Sequence, residues 1–186
     1  MSIREMVGQR KDLGSVARFV LLVTLAVLIP SLGQSQWITG PLVNALLLLT
    51  VGWAGVSQAI LVGMIPPLGA AVRGVLPLPL LAMIPFIALS NATLVSVYAA
   101  LHRKNKALAL VVAAVCKFAL LYLSVTLLTV RPLHLMIGGS AQALALPDAM
   151  AQMMRWPQLA TAFAGGLLAL AVEGARDYVR ARRQGD

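Results

Sequence analysis

From Phe19 to Val72 the chain runs for 54 residues without an Asp, Glu, Lys or Arg, and further charge-free runs cover 74–102, 107–116, 118–130 and 156–172. Roughly 20 apolar residues suffice to cross a hydrocarbon core. Only helices and closed barrels satisfy the backbone in lipid, and barrel strands would alternate polar with apolar residues, which these runs do not. The pattern predicts an all-α integral membrane protein, a single transmembrane domain over residues 1–186. Its parts are an N-terminal segment 1–15, a helical bundle 16–176 and a basic tail 177–186.

The punctuation along the runs divides them into segments. A first span is predicted from Val16 to Leu32, followed by an uncharged loop, "GQSQWITG", that carries Trp37 as an interfacial anchor. The stretch 41–65 is interrupted at "GWAG" and stopped by Pro66-Pro67, and 76–101 leads to the basic loop "HRKNK". A span over 107–130, a longer loop over 131–154 and a last span from Trp156 to about Ala175 complete the chain. In the last span Ala162/Gly166 and Gly165/Ala169 are small-xxx-small pairs, which let helices approach closely.

Charge then fixes the count. The basic residues gather in three clusters: Arg4, Arg10, Lys11 and Arg18; Arg103, Lys104 and Lys106; and Arg176, Arg180, Arg182 and Arg183. Clusters at the ends of apolar runs are the positive-inside signature, so both termini and the 102–106 loop belong on the cytoplasmic side. An odd number of crossings must separate Gly33 from His102. Splitting 41–65 at "GWAG" into two helices of about 12 residues, ~18 Å each, meets that parity and gives a six-segment bundle. These halves are short, tilted or extended past Pro67; five segments would break the charge rule.

Other composition signals exclude more than they assign. The net charge of +9 is spent on these flanks rather than on a nucleic-acid surface. The single cysteine, Cys116, forms no internal disulfide, and two histidines, His102 and His134, do not make a haem or metal site. The N-terminus has an 11-residue apolar core, Phe19–Ile29, before small residues at Ser31 and Gly33. That is also a signal-peptide pattern, but its long polar start and membrane-bound sequel favour an uncleaved first helix. There is no G-x-x-x-x-G-K-[ST] and no Ser/His/Asp arrangement, so the chain is not read as an enzyme or as a cofactor protein.

One residue asks for an explanation. Lys117 stands in "VVAAVCKFALLYLSV", with ten uncharged residues before it and thirteen after. A charge at the bilayer centre costs roughly 2.5–3.5 kcal/mol on insertion scales. Asn44, Gln58 and Asn91 are its intramembrane candidates, and Asn91 lies at about its depth. Glu173 is nearer Arg176, at i+3, and Asp148 belongs with Arg131 or Arg155. Two readings of Lys117 stay open: it meets a ligand's negative group, or it is held by backbone carbonyls and Asn91 or snorkels inward. Trp37, Trp53 and Trp156 are read near the external side, as an interfacial belt or as the wall of a pocket to which Gln158 also points.

The texture of "NALLLLTVGWAGVSQAILVGMIPPLGAAVRGVLPLPLLAMIPFIALSNATLVSVYAAL", with "CKFALLYLSV" and "RWPQLATAFAGG", resembles the substrate-binding S components of energy-coupling factor (ECF) transporters. The resemblance spans about Pro41 to Gly166. It implies a six-helix fold with both termini in the cytoplasm of a bacterial or archaeal cell, and binding of a vitamin or related micronutrient near the external side. It also implies work with a transmembrane T component and two ABC-type ATPases. Trp37 would then belong to a lid loop, and Asn91, Lys117 and Gln158 to the pocket walls. Many S components carry Ala-xxx-Ala on the first helix; here only Ala17 and Ala26 are present. The alternative is an S-component-like anchor or accessory subunit of another membrane complex, for example a redox complex.

Overall fold

The computed structural model describes residues 3–31, 35–72, 74, 78–131, 133–137, 140–144 and 146–185. Gly33 of the signal-peptide pattern lies outside the described residues, as do the side chains of Arg4, Arg10, Lys11 and His134. Among the described residues there are six long helices: α1 (Ile3–Ser31), α2 (Gln36–Trp53), α3 (Val56–Val72), α5 (Ile84–Leu101), α6 (Lys106–Val130) and α8 (Trp156–Gly185). Two short ones, α4 (Leu78–Leu81) and α7 (Asp148–Met153), lie between them. Four stretches are long and apolar enough to cross a membrane: Leu13–Ser31, Ile84–Leu101, Lys106–Val130 and the stretch carrying α8. The protein is a multi-pass membrane protein built as a helical bundle.

One departure from an all-helical chain lies in the 131–154 connection. It folds as an antiparallel hairpin, β1 (Leu133–Ile137) with β2 (Ser140–Leu144), His134 opposite Ala143, before α7. No strand was expected there, because "LHLMIGGSAQAL" lacks the clean alternation of a half-buried strand.

The break at "GWAG" is real. α2 ends at Trp53 and α3 begins at Val56, with Gly55 at φ +100° and its N–H donating to the Thr50 carbonyl oxygen. This left-handed conformation is open to glycine and costly for other residues. Gly55→Ala is therefore expected to destabilise the protein by about 1–3 kcal/mol, read as a lower midpoint of thermal unfolding in detergent.

The two halves are longer than expected, at 18 and 17 residues. α2 starts early, so Trp37 stands in its first turn rather than in a loop, and α3 continues through Pro66 and Pro67 instead of stopping there. At ~1.5 Å per residue each reaches ~26 Å, close to a hydrocarbon core. The fourth segment is interrupted, α4 and α5 being separate helices, and α8 carries the basic tail as continuous helix to Gly185.

α2 is the hub, packing on α1, α3, α5 and α8. Every residue from Asn44 to Val51 is buried, as a helix apolar on all sides should be. α6 lies between α5 and α8 and buries Leu110, Ala113, Ala114, Lys117, Leu121 and Ser124, one face at helical spacing. A second apolar cluster joins the Leu80–Met83 region, Leu121, Val125 and Leu128 of α6, and Leu146, Ala151 and Met154. It fastens the α6–α8 connection over one end of the bundle. The other end carries the 102–106 turn and the start of the charged part of α8.

Candidate functional site

Lys117 is 3% exposed, and its ammonium donates to two side-chain carbonyl oxygens, Asn44 Oδ1 at 2.6 Å and Asn91 Oδ1 at 2.8 Å. Both asparagines are buried. An ammonium has three donors, and among the described residues the third has no acceptor. Among the described residues no carboxylate neutralises it, and the one ion pair joins Lys106 to Glu173 at 2.7 Å. Glu173 thus pairs with Lys106, not with Arg176. Asp148 pairs with neither Arg131 nor Arg155; the Arg155 guanidinium lies over the Tyr122 ring instead, 5.3 Å from its centroid.

The second asparagine contact follows from α3. A helical proline has no N–H to give to the carbonyl four residues earlier, so Pro67 strips the Gly63 carbonyl oxygen of its donor. Asn91 Nδ2 supplies it at 2.8 Å. Gly63 permits the approach, since a Cβ there would stand 3.2 Å from Asn91 Cβ. Asn91 is accordingly committed at both ends, Nδ2 to α3 and Oδ1 to Lys117. The chain Gly63–Asn91–Lys117–Asn44 ties α3, α5, α6 and α2 together at one depth.

Beside this network lies a cavity of about 160 Å³, and each of the six long helices contributes to its wall. Asn44, Asn91 and Lys117 form its polar side; Thr39 and Gln158 stand toward the end of the bundle covered by α7; Pro30, Pro66, Pro67 and Ile87 are among the apolar remainder. With a liquid-water share of ~30 Å³ per molecule, the space takes a carboxylate or phosphate group or a few waters. It falls short of the roughly 300 Å³ of the smallest ordinary ligand pockets, so a larger ligand requires the covering end to part. That end is pinned by Gln36, whose Nε2 donates to the Met153 carbonyl oxygen at 2.9 Å.

Four of the eight residues singled out from sequence meet here: Lys117, Asn91, Asn44 and Gln158. The others do not. Trp37 is 61% exposed in the first turn of α2, and Trp156 is 63% exposed and stacked on Phe118 with centroids 4.9 Å apart. Trp53 is not on the side of Trp37 and Trp156: it ends α2 at the opposite end of the bundle, under Arg176, because the break at Gly55 reverses the chain there. Gln58, in the first turn of α3, faces α1 beside Ser15 and Phe19. The wall residues Thr39, Gly40, Pro66 and Pro67 went unread; the proline pair was the available signal, since it frees carbonyls that demand donors.

No family model, no curated protein and no solved structure matches this chain.

Proposed function

We propose that this protein is the substrate-binding membrane subunit of an uptake system for a small anionic micronutrient. It would work in the manner of ECF S components, with a transmembrane T component and two ABC-type ATPases in a bacterial or archaeal cell membrane, both termini cytoplasmic. The observation that carries the reading is Lys117: a buried cation beside a cavity, held by two neutral oxygens and lacking a carboxylate among the described residues. Buried charges are expensive unless paired. A carboxylate or phosphate entering the cavity would supply the missing charge and the third acceptor.

The test is to purify the full chain from its native membrane in mild detergent and identify co-purifying proteins and retained small molecules by mass spectrometry. A small acid together with a T component and ATPases is the expected result. Lys117→Ala should weaken that ligand by about 2–5 kcal/mol, the scale of a desolvated charge contact, read by calorimetry or equilibrium dialysis. Affinity unchanged in both Lys117→Ala and Lys117→Met removes the lysine from the site.

A second reading, the membrane anchor of another complex, draws on α1. Of its two alanines beyond residue 13, Ala26 is buried in the bundle and only Ala17 is exposed, so α1 offers no exposed Ala-xxx-Ala pair to a T component. Recovery of redox or other enzyme subunits without a ligand would select it.

A further inference from the structure

At the end of the bundle away from Lys117, a second cavity of about 240 Å³ opens between α2, α6 and α8, beneath the 102–106 turn. Its polar groups are left in an uneven state. Trp53 Nε1 is buried and has no acceptor among the described residues. The Arg176 guanidinium lies over the Trp53 ring, 5.7 Å from its centroid, and is in no ion pair among the described residues. Glu173 is taken by Lys106. Asp177, which lines the same space, has no cationic partner within salt-bridge distance among the described residues. His102 completes the wall, stacked on Tyr98.

These groups define what fits. Lys106 and Arg176 balance Glu173 and Asp177, so the wall is formally neutral but carries both signs. A simple anion would meet two carboxylates, and a simple cation would meet Arg176. A zwitterion with hydrogen-bonding groups at both poles satisfies the free donors and the free carboxylate together. Its position decides the source. Leu170 to Val172 are the last apolar residues of α8 before Glu173, and Leu108, two residues from Lys106, is exposed apolar surface. At that boundary, molecules carrying a phosphate and an ammonium above an apolar tail are aminophospholipids.

We propose that this cavity binds the headgroup of an aminophospholipid of the phosphatidylethanolamine type, its phosphate on Arg176 and its ammonium on Asp177. The site is independent of the Lys117 cavity, and its failure would leave the uptake reading intact.

Native mass spectrometry of the full-length protein, exchanged into detergent with defined lipids, tests it. Phosphatidylethanolamine should be retained about tenfold more than phosphatidylglycerol, which lacks the ammonium, or phosphatidylcholine, whose quaternary nitrogen has no N–H to donate. Arg176→Gln removes the charge and should reduce retention about tenfold. Asp177→Asn, at an exposed position that leaves the fold untouched, should erase the preference over phosphatidylglycerol while keeping phosphate binding. Equal retention of the three lipids by the wild type overturns the proposal, as does an Asp177→Asn protein with its preference intact. Displacement by soluble O-phosphoethanolamine at concentrations equal to the lipid would make the ligand a free zwitterion and overturn the lipid assignment.

Discussion

Asn91→Leu is expected to destabilise the bundle by about 2–5 kcal/mol, more than Lys117→Met does, because it strands two buried groups at once. The Lys117 ammonium keeps a single side-chain acceptor, Asn44 Oδ1, and the Gly63 carbonyl loses the donor that stands in for the absent N–H of Pro67. Neutral hydrogen bonds between membrane helices average only about 0.6 kcal/mol; the excess here is the cost of a charge left under-solvated. Lys117→Met removes that charge and leaves Asn44 and Asn91 with free oxygens beside a cavity where water can reach them. The double variant Asn91→Leu/Lys117→Met should therefore recover part of the stability lost in Asn91→Leu, and should bind no anionic ligand. Thermal or SDS unfolding of the four proteins in one double-mutant cycle measures the coupling. Additive effects would mean that Lys117 is solvated without Asn91.

The polar centre was legible because membranes make it so. A lysine and two asparagines inside uncharged runs stand out in a chain with 60% hydrophobic residues, and depth counting along two antiparallel helices put Lys117 level with Asn91. Depth says nothing about rotation, and so it does not separate Gln58, on the α1-facing side of α3, from them. The tryptophans misled for a related reason. An amphipathic ring suits either membrane boundary, so composition alone could not separate Trp53 from Trp37 and Trp156. The reversal at Gly55 does.

Segment count and segment ends show the same division. Charge parity demanded a break between Gly33 and His102, and "GWAG" held the glycines to make it. The helix ends depart from the sequence pattern at prolines: Pro41 lies inside α2, and Pro66 and Pro67 lie inside α3. A proline pair usually stops a helix because each ring crowds the preceding turn and leaves a carbonyl without its N–H donor. In a bundle without solvent the helix continues if another side chain meets those carbonyls, as Asn91 does for Gly63. The hairpin after α6 depends on pairing between two short strands, and its one local signal is the Gly138-Gly139 pair between them, a two-residue hairpin connection in a stretch without clean alternation.

Gly165→Val is expected to cost at least about 3 kcal/mol, at the upper end of overpacking effects, or to prevent assembly of α8 on α2. A Cβ at Gly165 would strike the Pro41 carbonyl oxygen and come within 2.7 Å of Asn44 Cβ and 3.0 Å of the Ala45 nitrogen. Backbone cannot turn aside as a side chain can, so the two helices would have to separate. Gly166 is the control one residue on. The nearest atoms to a Cβ there all belong to the Leu110 side chain, which can change rotamer, so Gly166→Ala should be the milder change and Leu110→Ala should relieve it. The effect of Gly165 also reaches the polar centre, since Asn44 rides on the stretch of α2 that is pushed away. Loss of ligand retention in Gly165→Ala, at a stability still sufficient for purification, would be the sign that α8 positions Asn44 for Lys117. A Gly165→Val protein as stable as the wild type would mean that α2 and α8 do not approach this closely, and the walls of the Lys117 cavity would have to be redrawn.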